Sequence, residues 1–174
     1  MVIATLPDID QVWAWLADLP DPEIPVISVT DLGIVRGVSF DGDCLVVKVT
    51  PTYSGCPATA VIELDIETHL RAQGVEDVRV ERQLSPPWTT DWLNDEGRNK
   101  LKAYGIAPPI DGTSAGGIAG ARARRMAGGG NLVVECPRCG SGSTEKISQF
   151  GSTPCKAAYR CTDCLEPFDY FKCI

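Results

Sequence analysis

Four cysteines near the C-terminus form two C-x-x-C pairs. The pairs are Cys136 with Cys139 and Cys161 with Cys164, and twenty-one residues lie between them. Each pair turns both of its sulfurs to one side of the backbone, so two facing pairs place four thiolates on a tetrahedron. Zinc fits that geometry, and iron is also accepted. Two disulfides or four unconnected thiols are the alternative, and the paired spacing favours the metal.

The segment around these pairs is short and polar, so the metal is predicted to hold its fold together. The chain has eight cysteines in all, a number more typical here of metal-binding or reactive thiols than of disulfides. Cys155 lies six residues before Cys161, and Cys173 is the residue before the last. The sequence leaves open whether either of them joins the metal site.

Cys56 is a second candidate site. It follows Gly55 and precedes Pro57, where the pattern of a strand gives way to that of a helix. Pro57 suits the first helical position, which predicts Cys56 at the N-cap, where the helix dipole favours a thiolate. The carboxyl end of a strand is also a common place for functional residues in α/β folds. The alternative for Cys56 is a small buried apolar residue, and for Cys44, inside a strand pattern, that alternative is preferred.

An acidic loop is the other unusual stretch. Pro22 and Pro25 prevent this loop from forming a helix and restrict its backbone, so Asp21 and Glu23 are held in place. Their oxygens could accept backbone hydrogen bonds and cap a turn, or they could bind a metal, and their spacing favours the capped turn. Asp31 is predicted to fold back on the backbone in a second turn.

The remaining candidates carry weaker signals. His69 is the one histidine of the chain, which excludes a site built from several histidines and favours a surface or core-edge position. Trp88 and Trp92 flank a helix start outside the clearest core stripe, and we interpret them as interface residues.

The first 105 residues alternate between helical and strand patterns. Their order is helix, strand, strand, helix, strand, helix, which predicts an α+β fold, a small α/β sandwich on a short mixed sheet. Residues 106–130 are rich in Gly, Ala and Pro without apolar periodicity, which is typical of a linker. The predicted domains are therefore 1–105, the linker 106–130, and a zinc-ribbon-like metal module at 131–174.

Bulk properties limit the function classes. The formal charge is −7 with no strongly basic face to offset it, which argues against nucleic acid as a partner. Residues 1–20 do not have the pattern of a secretion signal, and no apolar stretch is long enough to cross a membrane. We therefore expect a cytoplasmic protein without a membrane partner.

Two long motifs resemble known families. The run DPEIPVISVTDLGIV followed by TPTYSGCP resembles the small domain of SufT-type iron–sulfur assembly factors. The segments SPPWTTDWLNDEGRNKLKAYGIAPP and CPRCGS with its following cysteines resemble the PaaD component of phenylacetyl-CoA epoxidase systems, also called PaaJ, over nearly the whole chain. The positions that match the assembly domain are Asp21, Pro22, Glu23, Pro25, Asp31, Leu32, Gly33, Thr52, Cys56 and Pro57.

The resemblance implies an accessory role in aerobic phenylacetate breakdown. Other subunits of that monooxygenase supply the di-iron site and the iron–sulfur flavin reductase, and this chain would help to mature a metal centre, most plausibly the reductase's cluster. Cys56 would handle iron or a cluster transiently, with Asp21, Glu23 and Thr52 nearby. No independent catalytic activity is expected.

Two alternatives remain open at the level of sequence. The chain could be a structural scaffold subunit of the epoxidase, or its ribbon could hold iron and pass electrons, as rubredoxin does. The first pair is followed by Gly140, as in a rubredoxin-type turn, whereas the second is followed by Leu165, which counts slightly against the electron-transfer role.

Overall fold

A computed structural model describes residues 6–53, 55–110 and 133–172 of the chain. The chain divides into two compact units, Met1–Trp88 and Thr89–Ile174. This division differs from the boundary at residue 105 that composition predicts. In the second unit the segment that follows the last helix pairs with a strand of the C-terminal sheet, so the helix belongs to that unit. Most of the predicted linker, residues 111–130, lies outside the described residues.

The first unit has the predicted order of elements up to its third strand. Its helices are α1 (Ile9–Ala17) and α2 (Thr59–Ala72), and its strands are β1 (Val35–Asp41), β2 (Cys44–Val49) and β3 (Val78–Arg82). β1 and β2 form an antiparallel hairpin, and β3 is parallel to β2. α2 is the crossover that a parallel pair requires, so the short sheet is mixed, as predicted.

Local sequence explains where these elements begin and end. The Asp8 side chain accepts a hydrogen bond from the Asp10 N–H and caps α1. Gly42, at φ 62°, supplies the left-handed residue in the turn between β1 and β2. Gly74, at φ 94°, follows the end of α2, where a left-handed residue commonly stops a helix.

The core of the first unit lies between the sheet and the helices. α1 contacts β1 and α2, and α2 contacts β3. Val61 of α2 is 46% exposed, because it lies outside the buried face of the helix. The side chains buried from α1, β2 and α2 include Val12, Leu16, Leu45, Val47, Ile62, Ile66 and Leu70.

Trp88 belongs to this core. Its side chain is 6% exposed, and its Nε1 donates to the carbonyl oxygen of Leu32 at 2.8 Å. The interpretation of Trp88 as an interface residue is therefore wrong, because its apolar ring is buried and its one donor has an internal acceptor. Trp92 is half-buried, and its predicted role in an interface stays a prediction.

The second unit contains a four-stranded sheet in the order β4-β7-β6-β5. The strands are β4 (Ile106–Ala107), β5 (Thr144–Ser148), β6 (Lys156–Cys161) and β7 (Pro167–Phe171). β5, β6 and β7 form an antiparallel meander, and β4 adds to β7 in parallel. Tyr159 packs beside Phe168 and Tyr170 with ring centroids 5.9 and 5.6 Å apart, so one face of the sheet is apolar.

A short capped helix comes before this sheet in the chain. A 3₁₀ turn at Thr90–Trp92 precedes α3 (Asp95–Tyr104), which Asn94 caps by accepting the Gly97 N–H at 2.6 Å. Tyr104 of this helix is 63% exposed, whereas Leu101 is fully buried. Among the described residues, none of the helices is both long enough and apolar enough to span a membrane.

Candidate metal centre and second thiol site

The two cysteine pairs lie in equivalent turns of the ribbon. The first pair precedes β5, and the second begins at Cys161, the last residue of β6, and continues toward β7. The Cys136 N–H donates to the carbonyl oxygen of Ser141 at 2.8 Å, and the Cys161 N–H donates to that of Glu166 at 2.9 Å. In both turns the donor and acceptor are five residues apart, so the backbone closes the same loop twice.

The residue after each pair has a left-handed backbone. Gly140 has φ 73° and Leu165 has φ 64°. Leucine is disfavoured in this conformation, so the second turn adopts its shape against the backbone preference of Leu165. The absence of a glycine after Cys164 therefore does not distinguish the two turns, and the sequence argument against a rubredoxin-like site loses its basis.

The four sulfurs are close enough to bind one ion. The Sγ atoms of Cys136 and Cys164 are 3.7 Å apart, those of Cys139 and Cys161 are 3.6 Å apart, and all four lie within 4.8 Å of one another. A tetrahedron with zinc–sulfur bonds of about 2.3 Å has edges of about 3.8 Å. The described cysteines are all free, so disulfides do not compete for these thiols in this arrangement.

The centre is closed on one side and open on the other. Cys136 and Cys161 are fully buried, whereas Cys139 and Cys164 are exposed. Cys136 and Cys161 also belong to the apolar cluster of the ribbon, together with Val134 and Phe168. A metal ion held here would join the two turns to the ribbon core, while two of its ligands stay accessible to solvent.

The thiols of the centre differ in acidity. A hydrogen bond from the Cys164 N–H is the main reason that the pKa of Cys161 falls to about 7, and the Asp163 backbone helps. A hydrogen bond from the Ser141 backbone lowers the pKa of Cys139, but the neighbouring thiols, Cys164 foremost, and burial outweigh it and raise that pKa to about 12. Cys161 therefore ionises more readily than Cys139, and metal binding must displace the proton of Cys139.

Two side-chain contacts join the turns next to the sulfurs. An Arg138 Nη1 donates to Oε1 of Glu166 at 2.9 Å, and the Ser141 hydroxyl donates to the Asp163 carboxylate. Sequence reasoning did not single out these four residues. A signal was available, since Arg138 and Asp163 occupy the same position within their C-x-x-C pairs.

Cys155 lies apart from the centre. It is buried, and its sulfur is 3.0 Å from the Thr153 hydroxyl. The group of sulfurs that could hold an ion contains the four paired cysteines and not Cys155. Cys173 lies outside the described residues, so its part in the site stays open.

Cys56 is half-buried in a turn that precedes α2. The Cys56 N–H donates to the Tyr53 carbonyl at 3.1 Å, and the Cys56 carbonyl accepts from the Thr59 N–H at 3.3 Å. Regular helix begins at Thr59 after Ala58, so the predicted N-cap position of Cys56 is wrong. The reason is that Pro57 enters a short turn closed over three residues rather than the first turn of the helix itself.

The acidic loop forms a capped turn. Asp21 is buried, and its Oδ1 accepts the N–H groups of Glu23 at 2.9 Å and Ile24 at 2.8 Å. Asp31 is buried as well, and its Oδ2 accepts the Ser28 N–H at 3.0 Å. Both carboxylates fold back on the backbone, as the spacing predicted.

These residues do not gather into a second multidentate site. Within residues 6–53, 55–110 and 133–172, the one group of at least three potential metal ligands is the four paired cysteines. Cys56, Asp21 and Glu23 therefore do not form such a group, and Thr52 is half-buried near the turn of Cys56. His69 has a buried Nε2 without a hydrogen-bond partner in the described structure, in keeping with a core-edge position.

Two family models match separate segments of the chain. A family model described as "Iron-sulfur cluster assembly protein" matches residues 9–81, and one described as "PaaD zinc beta ribbon domain" matches residues 121–172. The fold and the four-sulfur centre thus define an iron–sulfur assembly domain joined to a metal-binding ribbon.

One curated relative matches nearly the whole chain. It is a protein of Escherichia coli (strain K12) named as the putative D component of 1,2-phenylacetyl-CoA epoxidase, with 48% identity over 97% of this chain and 94% of that protein. The chain belongs to the PaaD family of phenylacetyl-CoA epoxidase components, as the resemblance of its motifs indicated.

Solved structures similar to this chain come from bacteria. One is a DUF59 domain of unknown function from Bacillus anthracis, with 26% identity and a TM-score of 0.49 over 53% of this chain and 90% of that one. Another is the conserved hypothetical protein TM0487 from Thermotoga maritima, with 29% identity and a TM-score of 0.48 over 57% of this chain and 98% of that one.

Proposed function

We propose that this chain is a maturation factor of a phenylacetyl-CoA epoxidase, which helps to install the iron–sulfur cluster of the flavin reductase component. The observation that carries the proposal is the union of two modules in one chain. An iron–sulfur assembly domain covers residues 9–81, and the chain as a whole is 48% identical to a protein named as an epoxidase subunit. Because this assembly domain belongs to a component of one enzyme system, we expect the protein that receives the cluster to belong to the same system.

The sequence itself supports an accessory role. A di-iron carboxylate site of the bundle type needs a Glu-x-x-His motif on each of two helices, and this chain has a single histidine. It also lacks the G-x-G-x-x-G loop that binds dinucleotides. The chain is therefore not expected to carry the oxygen chemistry or the hydride chemistry of the epoxidase.

In this proposal Cys56 is the thiol that handles the cargo. It is half-buried in a turn, and no group of three ligands surrounds it in the described part of the chain. A thiolate outside a closed cage binds iron or a cluster more reversibly than four converging thiolates do. Reversible binding suits a cargo that must pass on to another protein.

The ribbon has a different task. We propose that Cys136, Cys139, Cys161 and Cys164 bind one zinc ion, which stabilises the ribbon as a docking module for other epoxidase subunits. The sulfur separations of 3.6 and 3.7 Å support one tetrahedral ion. Optical spectroscopy distinguishes zinc from iron, because an aerobically purified iron–thiolate protein absorbs visible light and a zinc protein does not. A coloured, redox-active ribbon would favour electron transfer instead.

The maturation role is tested in cells that produce the epoxidase with Cys56→Ser in this chain. Serine is close to cysteine in size, so the fold should be retained, whereas its hydroxyl is a poor iron ligand at neutral pH. We expect a reductase that is produced normally but is poor in iron and acid-labile sulfide. Both are measured on the purified reductase.

Cys44→Ser is the matched control. Cys44 is also half-buried and lies in the same unit, at the start of β2. Reductase from Cys44→Ser cells should carry its full cluster. A fully loaded reductase from Cys56→Ser cells would remove the assigned role of this thiol and favour the scaffold alternative.

A further inference from the structure

The two cysteine turns of the ribbon make matching backbone hydrogen bonds and place their contacting side chains at equivalent positions. Arg138 lies two residues after Cys136, and Asp163 lies two residues after Cys161. Ser141 and Glu166 each lie two residues after the second cysteine of their turn. In both cases the residue inside one pair contacts the residue that follows the other pair.

The resulting bridges bracket the two exposed sulfurs. Cys139 lies between Arg138 and Ser141 in the chain, and Cys164 lies between Asp163 and Glu166. One bridge is the Arg138–Glu166 ion pair at 2.9 Å, and the other is the Ser141–Asp163 hydrogen bond. A competing ligand that bonds to the ion in place of either exposed sulfur must therefore displace a turn that is tied to its counterpart by both bridges.

Electrostatics gives Arg138 a further effect. Four thiolates around a divalent ion leave a net charge of −2, and the carboxylates of Asp163 and Glu166 lie on the same turns. Arg138 is the cation that one of these turns supplies, and it pairs with one of the carboxylates. Loss of this cation leaves two anionic side chains beside an anionic metal centre, which favours opening of the turns.

We propose that the two bridges act as a clasp across the metal centre and slow the loss of the ion from its exposed ligands. Arg138, Glu166, Ser141 and Asp163 are then positioning residues for metal retention. The Arg138 side chain is 69% accessible and that of Glu166 is 39% accessible, so the ion pair contributes modestly to stability by itself. Because both bridges lie beside the metal ligands, their loss should mainly change the rate of metal exchange.

The test measures zinc release from the zinc-loaded full chain into excess 4-(2-pyridylazo)resorcinol, whose zinc complex is coloured. Arg138→Glu places like charges opposite each other and is expected to release zinc about five- to tenfold faster than the unchanged chain. Adding Glu166→Arg restores the pair in reverse and should bring the rate back to within about twofold of the original. Ser141→Ala should speed release about two- to threefold, because it removes the second bridge.

Lys100→Glu is the matched control. Lys100 pairs with Glu96 at 2.8 Å on α3, in the same unit but away from the cysteine turns in sequence, so its reversal should leave zinc release unchanged. If Arg138→Glu does not retain zinc, Arg138→Gln replaces it and is expected to release zinc about three times faster. Release that is unaffected by loss of Arg138, or that stays fast in the swapped variant, would overturn the clasp.

Discussion

Replacement of Gly140 by alanine tests the link between backbone conformation and metal binding. Gly140 has φ 73°, and a Cβ added there would meet no atom within 4 Å. Its N–H donates to the Cys136 carbonyl at 2.9 Å, a bond that alanine can keep. The cost of Gly140→Ala is therefore conformational and not steric.

The free-energy cost of Gly140→Ala follows from placing an L-residue in the left-handed backbone region. An L-residue there costs about 1–2 kcal/mol, and the lower flexibility of alanine in the unfolded chain returns about 0.5–1 kcal/mol. The net cost is about 1 kcal/mol. Because folding of a metal ribbon is coupled to metal binding, we expect zinc affinity to fall about fivefold. Competition with a chelator of known affinity measures this change.

Gly74→Ala is the control for this prediction. Gly74 has φ 94° with equally open surroundings, but it lies in the first unit after α2. It should lower the free energy of unfolding of that unit by about 1 kcal/mol and leave zinc affinity unchanged. An unchanged zinc affinity in Gly140→Ala, or a loss above about hundredfold, would refute the reasoning, since the first denies the coupling and the second requires a clash.

Further predictions concern both units. Leu165→Gly relieves about 1–2 kcal/mol of left-handed strain at an exposed side chain and loses about 0.5–1 kcal/mol because glycine gains freedom in the unfolded state, so zinc affinity should rise by up to about fivefold in the same competition assay. Acidification should release the metal. The pKa of Cys139 is about 12 and that of Cys164 is raised, so metal binding displaces at least these two protons. Zinc affinity measured from pH 8 to 6 should therefore fall at least about 100-fold per pH unit. Asp21→Ala should destabilise the first unit by about 2–3 kcal/mol in denaturant unfolding, because one buried and one partly buried N–H group lose their acceptor, and Asp21→Asn should cost less because it retains an acceptor oxygen.

The sequence predicted features whose cause is local. The paired spacing of the cysteines predicted a four-sulfur group, and Asp21 and Asp31 were predicted to hydrogen-bond nearby backbone. The hydrophobic periods of the first unit identified its helices and strands, since each period reflects one buried face. These signals act over a few residues and can be read without knowledge of the fold.

Features that depend on distant contacts were missed. The short strand Ile106–Ala107 exists because β7 offers it hydrogen bonds, and its own composition resembles a linker. Trp88 is buried because the carbonyl of Leu32, far away in sequence, accepts its N–H. The cross-contacts of the cysteine turns likewise join residues of opposite turns, for which neither turn alone gives a signal.

The position of Cys56 shows the limit of boundary prediction. A proline commonly occupies the first residue of a helix, but here Pro57 precedes a short turn and the helix begins at Thr59. Cys56 therefore does not lie at the N-cap of α2, where the sequence placed it. Its proposed role rests on the assembly domain that contains it.

Epoxidation in vitro most directly separates a maturation factor from a standing subunit of the catalyst. The oxygenase subunits are combined with reductase that already carries its full cluster, and phenylacetyl-CoA turnover is measured with and without this chain. A maturation factor predicts equal rates, because its task is complete once the cluster is installed. A rate that requires this chain in stoichiometric amount, with the reductase cluster intact, would contradict the maturation role.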